Sequence, residues 1–397
     1  MAPHYVTAPT SLFRQQQLDN KTPEPLSFAP AEQAPCSLPC AMQGNSHWCS
    51  ESIHGTRHHL VVAAHCGRPF RPHFPDKIPH GVCPSGTICA LIELITGGRM
   101  PMTGDLYPSR IGGREQIIPR QDPVVFHDQA PDTSNPLNQM QLAQYEKNGY
   151  LVFPDFMPEM VEPLQEEVVR MQHSLAGREE LVFEPQGKEL RTIFNPCRFS
   201  SVANEFFRHP KVLPMVQQLL GSDVYLMQSR VNNKPAYTGR SFAWHSDFET
   251  WHVEDGMPRM RALTAWIMLS ENHDHNGPLY VIPGSHHLFI SCRGRTGRDN
   301  YKTSLRQQKL GVPQPDTMNE ILRDREIRAI TGRPGTLVIH ECNLLHGSPD
   351  NISSNPRQVM MCVYNSVHNR PRAPFGGQEP RPDFLSNRDT APVNLAA

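Results

Sequence analysis

Hydrophobic and polar positions divide the chain into three stretches of different character. Residues 1–101 are rich in Pro, Ser, His and Cys and show neither helical nor strand periodicity. Helical patterns dominate from about residue 102 to residue 221. Short apolar runs separated by Gly, Pro, Asn and Asp follow from residue 224 onward. This order predicts an α+β, mainly β chain in which helices precede a β-sandwich or jelly roll.

The spacing of apolar residues predicts three helices before the β-rich part. They span residues 135–145 with Gly149 as the stop, residues 158–175 with an amphipathic pattern, and residues 211–220 ending at Gly221. Extended runs predict strands at residues 150–153, 224–231, 262–269, 279–282, 336–340 and 359–364.

A polar stretch, residues 294–330, interrupts the strand pattern and contains one predicted helix at residues 316–325. Loops of this length inside a compact domain often cover a functional site. We therefore interpret the stretch as an insertion near the site.

Length and charge exclude several classes of protein. The 397 residues suffice for two average domains or one large β domain with additions. The net charge is −1 with both signs interspersed, which argues against nucleic-acid binding and against an anionic-membrane patch. No apolar run is long enough to span a bilayer, and the first twenty residues lack the apolar core of a secretory signal. The default prediction is a soluble cytoplasmic protein.

The ten cysteines are unevenly distributed, with six in the first 90 residues. That region has no tight Cys-x-x-Cys pair, so its composition explains its His and Cys content better than a zinc site does. The later cysteines are scattered, which indicates reduced thiols rather than a disulfide framework. We predict an irregular, disordered N-terminal extension at residues 1–101 and a folded domain at residues 102–397.

The main chemical signal is the sequence His245-Ser246-Asp247 together with His346. A His and an acid two residues apart on a strand project from one face, so both can reach one metal ion. Two imidazoles and one carboxylate form the ligand set of the facial triad of non-heme Fe(II) oxygenases. Three ligand positions remain open for a 2-oxo acid and dioxygen, and the residual positive charge favours an anionic cosubstrate.

The alternative for each of these histidines is a structural role. The chain has 20 histidines, and a His-x-Asp pair occurs by chance in many proteins. The nearest rival ligand, His252, lies seven residues after His245 and would point to the opposite face of a continuing strand. A closed zinc site needs a fourth ligand, usually Cys, and only Cys342 adjoins either motif. The combination of ligand types and the aromatic setting favour the iron triad.

Cosubstrate binding requires a buried cation for a distal carboxylate. Arg357 lies eleven residues after His346 at the start of a strand, and its guanidinium can hold a carboxylate bidentately. A solvated arginine is the alternative. Ser348 shares the face of His346 if the strand persists, and Asn232 and Lys234 on the neighbouring run can line the same pocket.

Longer motifs carry a resemblance to a known family. Residues 242–261 closely resemble the signature of ectoine hydroxylases, which belong to the phytanoyl-CoA dioxygenase-like group of Fe(II)/2-oxoglutarate enzymes. Further agreement is seen in Asp-Leu-Tyr-Pro-Ser-Arg at 105–110, Gly-Pro-Leu-Tyr-Val-Ile-Pro-Gly-Ser-His at 277–286 and residues 374–389. The resemblance covers the chain from about Met102 to its C-terminus.

The resemblance implies a fold and a reaction. The implied fold is a double-stranded β-helix (a cupin-type jelly roll) flanked by helices, usually in a homodimer. The implied reaction is hydroxylation of L-ectoine to 5-hydroxyectoine in compatible-solute biosynthesis under osmotic or heat stress. In it, 2-oxoglutarate and dioxygen become succinate and carbon dioxide. By position, His245, Asp247 and His346 match the iron ligands.

The resemblance also assigns ligand pockets. Positions matching the 2-oxoglutarate pocket are Phe194, Arg230, Asn232, Lys234, Phe242, Ser348 and Arg357. Gln228 and Trp251 match residues that hold ectoine, a small zwitterion with a cyclic amidinium and a carboxylate. An aromatic face attracts such a cation, and an amide can hydrogen-bond it; core packing is the alternative for Trp251. We interpret Glu249, Glu254 and Asp255 as a solvated acidic turn.

Two departures from the family keep other functions open. The family usually has Arg-x-Asn-x-Phe where this chain has Arg357 followed by Gln-Val-Met-Met, so Val359 and Met361 replace an amide and an aromatic ring. Asn-Pro-Cys-Arg follows Phe194 where Glu-Val-His is usual. One alternative is a related dioxygenase that acts on another small zwitterion or amino acid. The other is a non-catalytic cupin-like binding protein.

Overall fold

The computed structural model describes residues 104–110, 112–128, 136–185 and 188–395. The predicted irregular extension, residues 1–101, lies outside the described residues. No helix in the described ranges is both long enough and apolar enough to cross a bilayer.

The described chain forms strands and short helices in alternation. The strands are β1 (Gln116–Pro119), β2 (Tyr150–Phe153), β3 (Leu181–Phe183), β4 (Leu190–Phe194), β5 (Val224–Lys234), β6 (Phe242–His245), β7 (Ala262–Met268), β8 (Leu279–Val281), β9 (Leu288–Ser291), β10 (Arg328–Ile330), β11 (Leu337–Glu341), β12 (His346–Ser348) and β13 (Arg357–Ser366). The α-helices are α1 (Gln139–Asn148), α2 (Val161–Ser174), α3 (Pro196–Phe199), α4 (Ser201–Phe207), α5 (Leu213–Leu220), α6 (Asp247–Thr250), α7 (Asn300–Ser304) and α8 (Pro315–Leu322). Single turns of other helix types lie at Pro158–Met160, Trp251–Asp255 and Ser285–His287.

Two antiparallel sheets form the centre of the fold. The larger has the order β2-β11-β7-β13-β5-β4-β3, the smaller has the order β10-β8-β12-β6, and β1 pairs separately with β9. Apolar side chains from both sheets meet in one buried cluster, for example Trp266 and Val359 of the larger sheet and Val281 and Ile330 of the smaller. This arrangement is the double-stranded β-helix, or jelly roll, and confirms the predicted fold class.

Helices cover the outer face of the larger sheet. Leu164 and Val168 of α2 and Val216 of α5 pack in the same buried cluster as Ile267 of β7 and Met360 of β13. Side chains of a strand alternate between faces, so strand residues adjacent to these point into the barrel. Burial on both faces explains why β7 and β13 are almost continuously apolar in sequence.

The predicted helices and strands are present, with shifted ends. The first predicted helix begins later than expected, at Gln139, because Asn138 caps it: the Asn138 side chain accepts from Gln141 N and the Gln141 side chain accepts from Asn138 N. It ends as predicted before Gly149, which has a left-handed φ of 79°. The elements that the sequence patterns missed are short, and they include β1, β3, β4, β9, β10, α3, α4 and α7. Segments of this length are too brief to show a clear period.

Gly256 shows where a glycine is required next to the candidate site. Its φ is +83°, and a Cβ there would overlap the carbonyl oxygen of Arg372. Gly177 has the same φ, but nothing lies within 4 Å of the corresponding Cβ position. A substitution at Gly177 therefore meets backbone strain alone, whereas the same substitution at Gly256 meets backbone strain and steric overlap.

We expect Gly256→Ala to lower the free energy of unfolding more than Gly177→Ala does, by about 1–3 kcal/mol, because only the former adds overlap to the shared left-handed strain. Urea denaturation of both variants measures the difference. Equal losses would show that the chain around Arg372 relaxes freely.

Candidate metal centre

Three predicted ligands converge at one end of the barrel. His245 ends β6 and His346 begins β12, and the antiparallel register places them directly opposite each other. Asp247 Oδ1 lies 3.7 Å from His245 Nε2, and Asp247 Oδ2 lies 3.9 Å from His346 Nε2. The ligand atoms of the three buried residues all lie within 4.8 Å of one another, so one ion can contact all of them.

The local geometry differs from the expectation that His245 and Asp247 share one strand face. The strand ends at His245, and Asp247 is the first residue of α6. Ser246 makes this turn: its hydroxyl accepts from Glu249 N over 3.4 Å and donates to Asn343 Oδ1 over 2.8 Å. A helix cap, rather than strand alternation, therefore brings the carboxylate to the imidazoles.

Backbone carbonyls orient both imidazoles. His245 Nδ1 lies 2.7 Å from the Ala243 carbonyl oxygen, and His346 Nδ1 lies 2.9 Å from that of Leu344. A carbonyl only accepts, so each Nδ1 carries the proton and each Nε2 keeps a free lone pair. This is the arrangement that a metal-binding histidine requires.

The protonation states also suit a cation. Burial, with a smaller contribution from His245, lowers the pKa of His346 to about 3, so this imidazole is neutral at neutral pH. Burial raises the pKa of Asp247, but the neighbouring imidazoles of His346, His245 and His340 outweigh it and hold that pKa well below its usual range. Asp247 Oδ2 is buried with no hydrogen-bond partner among the described residues. An ionised, buried carboxylate beside the Nε2 atoms of two imidazoles fits a divalent metal ion.

A cavity opens beside the ligands. The predicted residues that line it are Phe194, Gln228, Arg230, Asn232, Phe242, His245, Asp247 and Trp251. The lining residues that were not predicted to bind a ligand include Arg110, Thr250 and Arg381. Thr250 lies within the signature run and Arg381 within residues 374–389. The two motifs therefore indicated this part of the site but not these individual residues.

Four predicted residues lie at the same end of the barrel but outside this lining. His346 contacts Asp247 as described. Arg357 Nη2 lies 3.5 Å from Asn232 Oδ1, Ser348 pairs with Phe242 in the strand register, and the Lys234 ammonium lies 5.4 Å from the Phe242 ring centroid.

Positive charge accumulates around these residues. Burial, followed by repulsion from Arg230 and Arg191, lowers the pKa of Arg357 to about 9. Burial, followed by repulsion from Arg357 and Arg191, lowers the pKa of Lys234 to about 6. Of these four cations, only Arg191 has a carboxylate within 4.0 Å in the described chain, at Glu184. Uncompensated buried cations favour binding of an anion between them.

The acidic turn is not solvated, so that interpretation is wrong. Glu249 and Glu254 are buried against Arg110, with Glu249 Oε2 2.6 Å from Arg110 Nη2. Asp255 is buried against Arg381, with contacts of 2.8 and 2.6 Å. The partners lie more than 100 residues away along the chain, so no local pattern in the sequence could reveal them.

The two aromatic residues after Asp247 have separate roles. His252 Nε2 lies 3.0 Å from Asp105 Oδ1 and its Nδ1 lies 2.8 Å from the Met257 carbonyl oxygen, so both nitrogens are engaged and His252 is a structural residue. Trp251 packs against Phe248 in a buried cluster and also lines the cavity. Core packing of Trp251 is therefore confirmed, and its contact with a substrate stays a prediction that its place in the cavity lining supports.

The predicted insertion lies over the cavity. Its lining residues are Asn300, Ser304, Leu305, Gln308 and Leu310. Asn300 Nδ2 donates to Glu254 Oε1 over 2.9 Å, and Arg110 Nη1 donates to Thr296 Oγ1 over 3.0 Å. The buried Arg110 network therefore also fastens the insertion.

Known proteins resemble this chain over its described region. Residues 145–359 match the phytanoyl-CoA dioxygenase (PhyH) family. The ectoine dioxygenase of Streptomyces avermitilis is 43% identical over 292 residues, which cover 73% of this chain and 98% of that protein. The ectoine dioxygenase of Sphingopyxis alaskensis is 44% identical over 287 residues, which cover 72% of this chain and 93% of that protein.

Solved structures agree with this similarity. The crystal structure of EctD from S. alaskensis with 2-oxoglutarate and 5-hydroxyectoine has a TM-score of 0.64 at 41% identity, covering 73% of this chain and 97% of that one. The structure of the same protein with bound Fe has a TM-score of 0.65 at 40% identity, covering 74% and 98%. The matches span nearly the whole of each relative.

We expect Arg110→Met to lower the free energy of unfolding by about 3–5 kcal/mol, because it leaves Glu249 and Glu254 buried without a counter-charge. Urea denaturation measures the loss. Adding Glu249→Gln and Glu254→Gln to the same variant removes the two uncompensated negative charges and recovers much of the lost free energy of unfolding.

The matched surface variant is Arg170→Met, which breaks the exposed pair with Glu167 and has a much smaller effect. If Arg110→Met were as mild as Arg170→Met, the network would contribute little to the fold.

Proposed function

The chain belongs to the phytanoyl-CoA dioxygenase family, and we propose that within it the protein hydroxylates L-ectoine to 5-hydroxyectoine as an Fe(II)- and 2-oxoglutarate-dependent dioxygenase. The observation that carries the proposal is the convergence of His245, Asp247 and His346 beside a cavity lined by Gln228 and Trp251. The products of the cosubstrates are succinate and carbon dioxide.

The metal centre would be held by the two Nε2 atoms and the Asp247 carboxylate. Iron bound there supplies, with 2-oxoglutarate and dioxygen, the oxidising power that replaces a ring hydrogen of the substrate by a hydroxyl group. The protein orients both imidazoles, keeps His346 neutral and keeps the carboxylate ionised.

The cosubstrate pocket is assigned to the cationic end of the barrel. Arg357 and Ser348 hold the distal carboxylate of 2-oxoglutarate, because a guanidinium accepts a carboxylate bidentately and a hydroxyl can add one donor. The remaining members of the pocket are Phe194, Arg230, Asn232, Lys234 and Phe242. A dianion offsets the buried positive charge of Arg230 and Arg357, which have no carboxylate partner among the described residues.

The substrate pocket is assigned to the cavity. The Gln228 amide nitrogen donates to the Leu385 carbonyl oxygen over 2.6 Å, which leaves its Oε1 to accept from an amidinium N–H of ectoine. The Trp251 face attracts the amidinium charge. Arg381, oriented by its pair with Asp255, offers a positive charge for the ectoine carboxylate. The insertion above the cavity limits the access of water.

The residues that depart from the family pattern, Val359 and Met361, give little support to a second candidate function. Val359 and Met361 face the barrel interior in a buried apolar cluster, and neither is among the described residues that line the cavity. A related dioxygenase acting on another small zwitterion remains the alternative that the product assay decides. The homodimer and the cytoplasmic location stay predictions from the resemblance and the sequence.

We expect the purified chain, supplied with Fe(II), 2-oxoglutarate and ectoine, to form 5-hydroxyectoine and succinate in equal amounts. Asp247→Ala abolishes both products because it removes the only carboxylate of the triad. The matched control is Asp274→Ala, at an exposed position, which leaves activity unchanged. Product analysis by NMR measures the outcome. Succinate formed without 5-hydroxyectoine would point to another substrate.

We expect binding of 2-oxoglutarate to the metal-loaded protein to take up protons near pH 7.5. The pKa of Lys234 is about 6 in the free protein, so its amine is mostly neutral there. A bound dianion favours the charged form and raises that pKa, so a proton enters on binding and affinity falls as pH rises from about 6 to 8.

Isothermal titration calorimetry in two buffers with different ionisation enthalpies measures this uptake. Lys234→Met removes it, whereas Lys211→Met, at an exposed lysine, does not. Identical binding enthalpies in both buffers for the unaltered protein would contradict the assignment of Lys234 to the pocket.

A further inference from the structure

A buried indole–imidazole pair lies next to the metal ligands. Trp266 of β7 donates from its Nε1 to His340 Nδ1 of β11 over 3.1 Å. Both side chains are 1% exposed. The other nitrogen of the imidazole, His340 Nε2, lies 3.8 Å from Asp247 Oδ2.

The indole fixes the tautomer of this histidine. An indole nitrogen only donates, so His340 Nδ1 must accept and is unprotonated. The proton of the ring therefore sits on Nε2, which faces Asp247. An imidazole with this hydrogen bond and this proton has no lone pair left for a metal, so His340 is not a fourth ligand.

Two unsatisfied polar atoms face each other at this point. His340 Nε2 and Asp247 Oδ2 are both buried, and neither has a hydrogen-bond partner among the described residues. One is a donor and the other an acceptor, and a closing movement of less than 1 Å brings them to hydrogen-bonding distance. Leaving a buried donor and a buried acceptor both unpaired is unfavourable, so the closed contact is favoured.

The pair is held by two central strands of the larger sheet. In the register of β7 and β11, Trp266 stands opposite Val338 and His340 stands opposite Thr264, so the two side chains are diagonal neighbours on the face that points into the barrel. Strand β7 is also paired with β13, and β11 with β2. Because both strands are paired on both sides, the backbone that carries the imidazole and the indole is held in place.

We propose that His340 is a positioning residue for the carboxylate ligand of the metal, which rests on the metal centre of the proposed function. Its Nε2–H, oriented by Trp266, donates to Asp247 Oδ2 and fixes the rotation of the carboxylate. Asp247 Oδ1, the oxygen nearest to His245 Nε2, is thereby presented to the ion. Partners of this kind typically change metal affinity by about 10–100-fold when removed.

The test measures binding of Co(II), used as a spectroscopic probe, to the full chain without cosubstrate or substrate. His340→Phe keeps an aromatic ring but has no donor, and we expect it to weaken Co(II) binding by about 10-fold or more. His340→Gln places an amide N–H near the former Nε2, and we expect affinity within about 3-fold of the unaltered protein. Trp266→Phe removes the donor that fixes the tautomer of His340, and we expect a loss of Co(II) affinity that lies between those of the two His340 variants.

The matched control is His286→Phe, another buried histidine with an unpartnered ring nitrogen in the described chain but no contact with the ligands. It leaves Co(II) affinity unchanged. Thermal unfolding of each metal-free variant separates loss of fold from loss of metal. If His340→Phe does not fold, the comparison of His340→Gln with Trp266→Phe still decides, because only the latter is predicted to weaken binding.

Two results would overturn the inference. One is Co(II) binding by folded His340→Phe as tight as that of the unaltered protein. The other is an equal loss in His340→Gln and His340→Phe, which would assign the effect to ring shape or ligation rather than to the donor. Tight, donor-dependent Co(II) binding without formation of 5-hydroxyectoine would instead reject the proposed reaction and leave the positioning role standing.

Discussion

The antiparallel pairing of β6 with β12 is the constraint on which the site depends. Its register sets His245 opposite His346, although a hundred residues of chain separate them. The cap at Ser246 then turns Asp247 back towards the two rings. Each imidazole is oriented by the carbonyl two residues before it, so the backbone of the smaller sheet defines the ligand geometry. A slip of one residue in this register would send one imidazole to the other face.

Charge is distributed unequally on the two sides of this centre. On the side that we assign to the substrate, Arg110 and Arg381 neutralise three buried carboxylates and tie residues 105–110 and 374–389 to the signature turn. On the side that we assign to the cosubstrate, Arg230, Lys234 and Arg357 lack such partners among the described residues, and their burial disfavours the charged forms. The carboxylates on the first side already have counter-charges, whereas an incoming anion would stabilise the second side. That difference links the electrostatics of the fold to the need for a dianionic cosubstrate.

Sequence reasoning could single out the three candidate ligands because their residue types and the surrounding motif are distinctive, even though the strand geometry expected for Asp247 was wrong. It could not identify the burial of Glu249 and Glu254, since the partner Arg110 is remote in sequence and reaches them only through the fold. Nor could it single out His340, whose orientation depends on the indole of Trp266 in another strand. Periodicity fixed the long helices and central strands, while short elements were set by tertiary pairing.

The most direct test of this account is a crystal structure of the protein with Fe(II) and 2-oxoglutarate, with iron located by its anomalous scattering. The account predicts one iron bound by His245 Nε2, Asp247 and His346 Nε2, with the distal carboxylate of 2-oxoglutarate on Arg357. Iron bound elsewhere, or the three side chains directed into separate spaces too far apart to share an ion, would contradict it.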